Sequence, residues 1–353
     1  MTAFLRPELF AIAEVPHGSL AASEARGRDD VLDLSANLSP LGPPPAVVAA
    51  AAAARLDAYP EPDAATLRTA IAARTGVSAE QVVAGNGAAE LIWLAAIATV
   101  RPGATIPVLG PTFGEYARAI AVAGGHPLEV RAEPPSFVPP LDRFAETIDR
   151  LRPPVAFLCN PNNPTGSLLP KEAIAQVLAA APDTLIVVDE AYLPFSSEVD
   201  LTPLLGAGNL LLIRSLTKAY AVPGVRLGYA LGAETVATVL RRLLPPWSVS
   251  APATAAGLAA LAEPAWERQG EALAREGVRR LVAGLRARGL CPVPSAANFV
   301  IVPVANAAAV RGALLDRGIL VRDCASFGLP NYLRIAAGPP EAIDRLLAVW
   351  PIP

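Results

Sequence analysis

The chain has 353 residues, 53% hydrophobic and 17% charged, with a formal net charge of −3. This supplies a full-sized core and excludes a disordered chain, and the slightly acidic balance lacks the basic footprint of a nucleic-acid binder. The longest apolar run, 91–100, is closed by Glu90 and Arg101 at about half the length a bilayer requires. Arg6, Glu8 and Glu14 interrupt what a signal peptide would keep apolar, so no membrane association and a cytoplasmic protein are expected.

In chain order, a proline-rich opening ends at 41–45 and an alanine-rich helix follows over 46–55. Short apolar runs at 104–109, 155–159, 185–188, 210–213 and 227–231 read as buried strands. Helical segments at 88–100, 112–123, 171–181 and 234–244 lie between or beside them. That alternation predicts an α/β fold with a mostly parallel central sheet flanked by helices. After Pro245-Pro246 the texture changes, with helices at 253–262 and 266–288 and strands at 298–302, 319–321 and 332–335. Helices at 307–317 and 341–349 complete the pattern. The expected division is a large domain over 46–244 and a smaller α/β domain built from 1–45 and 245–353.

Cys159, Cys291 and Cys324 are scattered, without a CxxC pair, and only His17 and His126 occur. Neither a disulfide framework nor a Cys- or His-based metal site is expected, and no GxSxG elbow is present for a serine nucleophile. Lysine occurs only at Lys171 and Lys218. Because arginine holds its proton and cannot act as an amine nucleophile, a lysine kept in an arginine-rich chain is a candidate for amine chemistry. Lys171 opens a helix and reads as a solvated surface residue. Lys218, in LLLIRSLTKAY directly after a strand, does not.

Ligands of open parallel sheets bind beyond the carboxyl ends of the strands, and three predicted strands run into polar clusters there. These are Asn160-Pro161-Asn162-Asn163-Pro164-Thr165-Gly166, Asp189-Glu190-Ala191-Tyr192, and Arg214-Ser215-Leu216-Thr217-Lys218 with Arg226 beyond. Taken singly, Asp189 could be a helix cap, Tyr192 a core edge and the Asn-Pro segment a turn. Gly85-Asn86-Gly87-Ala88-Ala89-Glu90 precedes a helix and can cradle one phosphate on its backbone N–H groups, with Ser215 and Arg226 as further ligands. It lacks the third glycine of a dinucleotide fingerprint and the GK[ST] of a Walker loop. An amine, a carboxylate and a phosphate cradle together describe the needs of pyridoxal 5′-phosphate.

At these residues the sequence resembles the fold-type I pyridoxal-phosphate enzymes, the class I/II aminotransferase superfamily, through NPNNPTG, DEAY and SLTKAYAVPGVRLGY in order and spacing. The resemblance spans nearly the whole chain and implies the PLP-dependent transferase-like fold. It implies that Lys218 forms the imine with the cofactor, that Asp189 partners the pyridine nitrogen, and that Asn163 and Tyr192 donate to the ring hydroxyl. It also implies that Ser215, Arg226 and the backbone at Ala88 and Ala89 bind the phosphate, and that Phe113 packs on the ring face. Tyr59, in AYPEP, would reach the phosphate of the neighbouring subunit in a homodimer, and Arg334, in YLRIAAG, would clamp a substrate carboxylate.

The resemblance narrows to the branch holding histidinol-phosphate aminotransferase and threonine-phosphate decarboxylase, a cobalamin-pathway enzyme, both acting on phosphorylated amino acids or amines. Arg322, in LVRDCASFG, matches the substrate-phosphate arginine, and His17 and Asn37 match further substrate-binding positions, Asn163 serving substrate as well as cofactor. His17-Gly18-Ser19, LDLSAN at 32–37, PWSV at 246–249, FLC at 157–159 and RDC at 322–324 favour the decarboxylase. The leading expectation is therefore a lyase releasing CO₂ from L-threonine O-3-phosphate. The alternative is an aminotransferase passing the amino group of histidinol phosphate to a 2-oxo acid, for which GLPNYLRI at 328–335 speaks. A non-catalytic ligand sensor on the same fold is the third reading.

Overall fold

The computed structural model describes residues 6–16, 18, 19, 23, 25–28, 30–196 and 199–351. Seven strands form the large sheet: β2 (Val82–Gly85), β3 (Thr105–Gly110), β4 (His126–Arg131), β5 (Val155–Cys159), β6 (Leu185–Asp189), β7 (Leu210–Ser215) and β8 (Gly228–Gly232). Their spatial order is β2-β8-β7-β6-β5-β3-β4, and β8 runs antiparallel to both neighbours while the other pairings are parallel. The expected mostly parallel sheet is therefore present.

Period-two alternation sorts the side chains of the central strands. Ala156, Leu158, Ile186, Val188, Leu210 and Leu212 enter one core, and Val155, Phe157, Val187, Leu211 and Ile213 enter the core on the opposite face. Both faces are covered, which explains why these strands read as unbroken apolar runs.

β2, β4 and the helices Ala65–Thr75 and Leu141–Leu151 have no counterpart in the expected elements. β4 is an edge strand, mostly solvent-facing and carrying Pro127, so its composition carries no strand signal. Leu141–Leu151 buries Phe144 and Ile148, one helical turn apart, within an otherwise polar sequence.

A second core surrounds the three-stranded antiparallel sheet β11 (Arg322–Cys324), β12 (Leu329–Ala336) and β9 (Phe299–Pro303). Beside it, β1 (Leu32–Asp33) pairs in parallel with β10 (Ile319–Leu320), so the early chain is joined to the late chain. The backbone of Leu34 continues this ladder, donating to Leu320 and accepting from Ala336. Among the described residues, no helix is long and apolar enough to cross a membrane.

Candidate active site

Beyond the carboxyl ends of β5, β6 and β7 lies a cavity of about 450 Å³. Its lining includes Asn37, Ala88, Ala89, Phe113, Asn163, Asp189, Tyr192, Ser215, Lys218, Arg226, Arg322 and Arg334. Two of the expected site residues are not among them. Tyr59 is 80% exposed on the surface, stacked on Trp247 with ring centroids 4.6 Å apart. His17 lies outside the described residues, although its neighbour Gly18 lines the cavity.

The parallel register explains the convergence. Cys159 is paired with Asp189, and Asp189 with Ile213, so adjacent strands end together and their loops open on one side. Lys218 follows in the short helix Leu216–Ala219. Among the described residues it makes no ion pair. Burial, then the positive charges of Arg334 and Arg226, lowers its pKa to about 8 against the opposing pull of Asp189.

Asp189 is buried at the end of β6. Its Oδ2 accepts a 2.7 Å hydrogen bond from the Tyr116 hydroxyl and its Oδ1 a 2.9 Å bond from the Ala191 N–H. Burial raises the Asp189 pKa, while those two donors and Lys218 work to lower it. Next to it, Glu190 is buried against Arg214 of β7 at 2.7 Å, tying the ends of β6 and β7 together.

The asparagines divide their tasks. Asn160 clamps its own loop through both hydrogen bonds with the backbone of Leu169, and Asn162 bonds the Pro111 carbonyl and Thr165. Asn163 faces the cavity, where its Oδ1 accepts from Arg334 at 2.6 Å. Arg334 also donates to the Ser35 carbonyl at 2.8 Å and lies 5.6 Å from the centroid of Phe299, with its Nε buried and without a hydrogen-bond partner. Asn37 donates to the Tyr192 hydroxyl at 3.2 Å and leaves its Oδ1 likewise unpartnered. Arg322, paired with Arg334 across β11 and β12, donates to Ser326 and to the Pro16 carbonyl. Burial lowers its pKa.

The start of helix Ala88–Thr99, Ser215 and Arg226, the residues expected to cradle a phosphate, meet in the cavity lining. Gly87 has φ +84°, and a Cβ there would lie 2.4 Å from Arg226 Nη2. A Cβ on Gly228 would lie 2.5 Å from the Ala88 nitrogen. Glycine at both positions lets the arginine and strand β8 close on the helix N-terminus. Tyr116 was missing from the sequence-derived site. The signal was available in PTFGEY, where Tyr116 stands three residues after Phe113, but nothing local identifies its partner 73 positions away.

This topology and this cavity define a pyridoxal-phosphate-dependent enzyme of fold type I. A histidinol-phosphate aminotransferase from Sinorhizobium meliloti, solved in complex with pyridoxal 5′-phosphate, superposes with a TM-score of 0.88 at 27% identity, covering 99% of this chain and 97% of that one. The chain belongs to the class I and II aminotransferase family, whose model matches residues 29–349, and its cofactor is pyridoxal 5′-phosphate. It is 39% identical to a histidinol-phosphate aminotransferase of Symbiobacterium thermophilum over 332 residues, 91% of this chain and 90% of the relative. Further relatives of 33–37% identity bear the same name.

These relatives overturn the leading expectation of threonine-phosphate decarboxylation. A solved L-threonine-O-3-phosphate decarboxylase from Porphyromonas gingivalis is similar at 26% identity and a TM-score of 0.77, covering 90% of this chain and 98% of that one. Of the segments that favoured it, LDLSAN supplies the Ser35 carbonyl to Arg334 and RDC contains Arg322 itself, while PWSV and FLC make other contacts. Trp247 of PWSV stacks on Tyr59 at the surface, and the Cys159 thiol of FLC donates to the Pro161 carbonyl at 3.2 Å.

Proposed function

We propose that the protein is an aminotransferase moving an amino group between a small phosphorylated amine of the histidinol-phosphate type and a 2-oxo acid. The observation that carries the phosphorylated substrate is the pairing of Arg322 and Arg334 on adjacent strands, both lining the cavity that holds Lys218 and Asp189, while amino transfer in place of decarboxylation rests on the relatives. Two half-reactions present different anions to one site, a phosphate and then a carboxylate. Two guanidinium groups serve both, because each forms a bidentate fork with either anion. The names of the relatives at 33–39% identity support the same substrate class.

The donor set fits the cofactor on three structural grounds: a lysine that makes no ion pair among the described residues, a buried carboxylate, and a glycine-lined helix N-terminus beside Arg226. Ser215, Arg226 and the N–H groups of Ala88 and Ala89 would hold the phosphate, Asp189 would pair with the ring nitrogen, and Phe113 would pack on the ring. Asn163 and Tyr192 address the ring hydroxyl. When bound, pyridoxal phosphate supplies the electron sink that stabilises charge developing at the substrate Cα. Lys218 moves the proton at that carbon, a task suited to an amine with a pKa of about 8. Arg334, with Asn37 and Asn163 lining the same cavity, would bind and orient the substrate for proton removal at Cα. Arg322, and His17 from the segment preceding Gly18, take the phosphate.

The same reading assigns 46–244 to the cofactor-binding domain and 1–45 with 245–353 to the smaller one, in line with the β1–β10 pairing. It places Tyr59 at the phosphate of a second copy in a homodimer, in line with the ring's exposure. The test is direct: purified protein with histidinol phosphate and 2-oxoglutarate should yield glutamate. An enzyme loaded with cofactor that forms no glutamate from this pair overturns the substrate assignment.

A further inference from the structure

Tyr116 shares with Tyr220 the place of largest fully buried side chain among the described residues and is not explained by packing alone. Its ring stacks on Phe157 with centroids 5.9 Å apart and meets Phe113 edge-on at 5.8 Å. A phenylalanine would satisfy both contacts. The hydroxyl instead enters an apolar layer, where a polar group is costly without a partner, and it has one: Oδ2 of Asp189 at 2.7 Å. Phe113 lies just ahead of helix Glu115–Val122 and Tyr116 in its first turn, the Tyr116 N–H donating to the Phe113 carbonyl, so one short segment brings the cavity-lining ring and the donor to the carboxylate together.

We propose that Tyr116 is the positioning residue of Asp189, fixing the carboxylate in the orientation and the ionised form in which it meets the cofactor nitrogen. Asp189 is faced by Tyr116 from that helix, Cys159 from β5, Glu190 and Tyr192 from its own strand end, and Lys218. Of these, Lys218 is the only cation. Burial pushes both the Cys159 thiol and the Tyr116 phenol upward, so both stay protonated at neutral pH. The Cys159 proton is given to the Pro161 carbonyl. The Tyr116 hydroxyl, which also lies against the Cys159 thiol, is the side-chain donor to Asp189 at 2.7 Å, with the Ala191 N–H as its backbone counterpart. Removing it leaves burial less opposed, and Asp189 keeps its proton to higher pH.

This inference rests on the cofactor reading and not on the substrate, so its test uses cofactor binding. Apoprotein is titrated with pyridoxal phosphate at pH 6 and pH 8.5, following the absorbance of the bound form. Tyr116→Phe keeps the ring and loses the donor. It should weaken binding by about tenfold at pH 6 and by less than about twofold at pH 8.5, an upward move of the acid limb by about one pH unit. In an Asp189→Asn background the same substitution should change little at either pH. Equal weakening at both pH values, no weakening, absence of binding at every pH, or an undiminished effect in the Asp189→Asn background each overturns the proposal. Glutamate formation does not enter, so failure of the substrate reading leaves this result intact.

Discussion

Lys218 shows how much chemistry a single residue type discloses. It stood out because the chain otherwise uses arginine for positive charge, and the structure places it in the cavity beside Asp189. Lys218→Ala should lower turnover by about 10³-fold or more and abolish the visible absorbance of the loaded protein, read in one spectrum and one assay. With a pKa lowered to about 8, the amine is mostly protonated below that pH and neutral above it. Cofactor capture by the apoprotein should thus accelerate with rising pH, about tenfold per unit below pH 8, and level off above it; stopped-flow mixing across pH 6 to 9.5 reads this. Arg334→Lys retains the charge but loses the fork that bonds Asn163 and the Ser35 carbonyl. It should raise the KM for the 2-oxo acid by about tenfold or more. What the sequence could not disclose at this scale is pairing across distance: Tyr116 with Asp189, or Asn37 with Tyr192, each joined by folding alone.

Strands with both faces buried announced themselves as apolar runs, and their polar endings located the cavity. β2 and β4 stayed hidden for opposite reasons. β2 has four residues, one of them Gly85, too few to show a period. β4 faces solvent and carries Pro127, so no apolar pattern marks it. The close contact of β8 with the anion cradle was also illegible, since a glycine's function lies in what its missing Cβ would strike. Gly228→Ala sets a methyl group 2.5 Å from the Ala88 nitrogen. It should cost about 1–3 kcal/mol in stability and weaken cofactor binding, checked by thermal melting with and without cofactor.

For the whole molecule, the motifs reported the family and the cofactor, while similarity over 91% of the chain spoke against the decarboxylase branch. Decarboxylation and transamination share a phosphate site, a lysine and an arginine pair, and short segments do not record which bond is set across the ring. Assembly is the remaining expectation at this scale. Tyr59 and Trp247 form an exposed aromatic pair away from the cavity of their own chain. If a second copy receives Tyr59, then Tyr59→Phe should weaken cofactor binding severalfold while the sedimentation coefficient stays that of a dimer. A monomer in the unaltered protein would remove that role.

The ladder of Leu32 and Asp33 against Ile319 and Leu320 has a temporal meaning. On the ribosome, the seven strands of the large sheet emerge and can pair while the segment bearing Gly18 and Asn37 still waits for its partner. Arg322 and Arg334, which line the cavity, leave the exit tunnel later still. Nascent chains released just before residue 319 should therefore hold the β2–β8 sheet yet fail to retain phosphorylated amines, a difference that pull-down of stalled translation products would reveal.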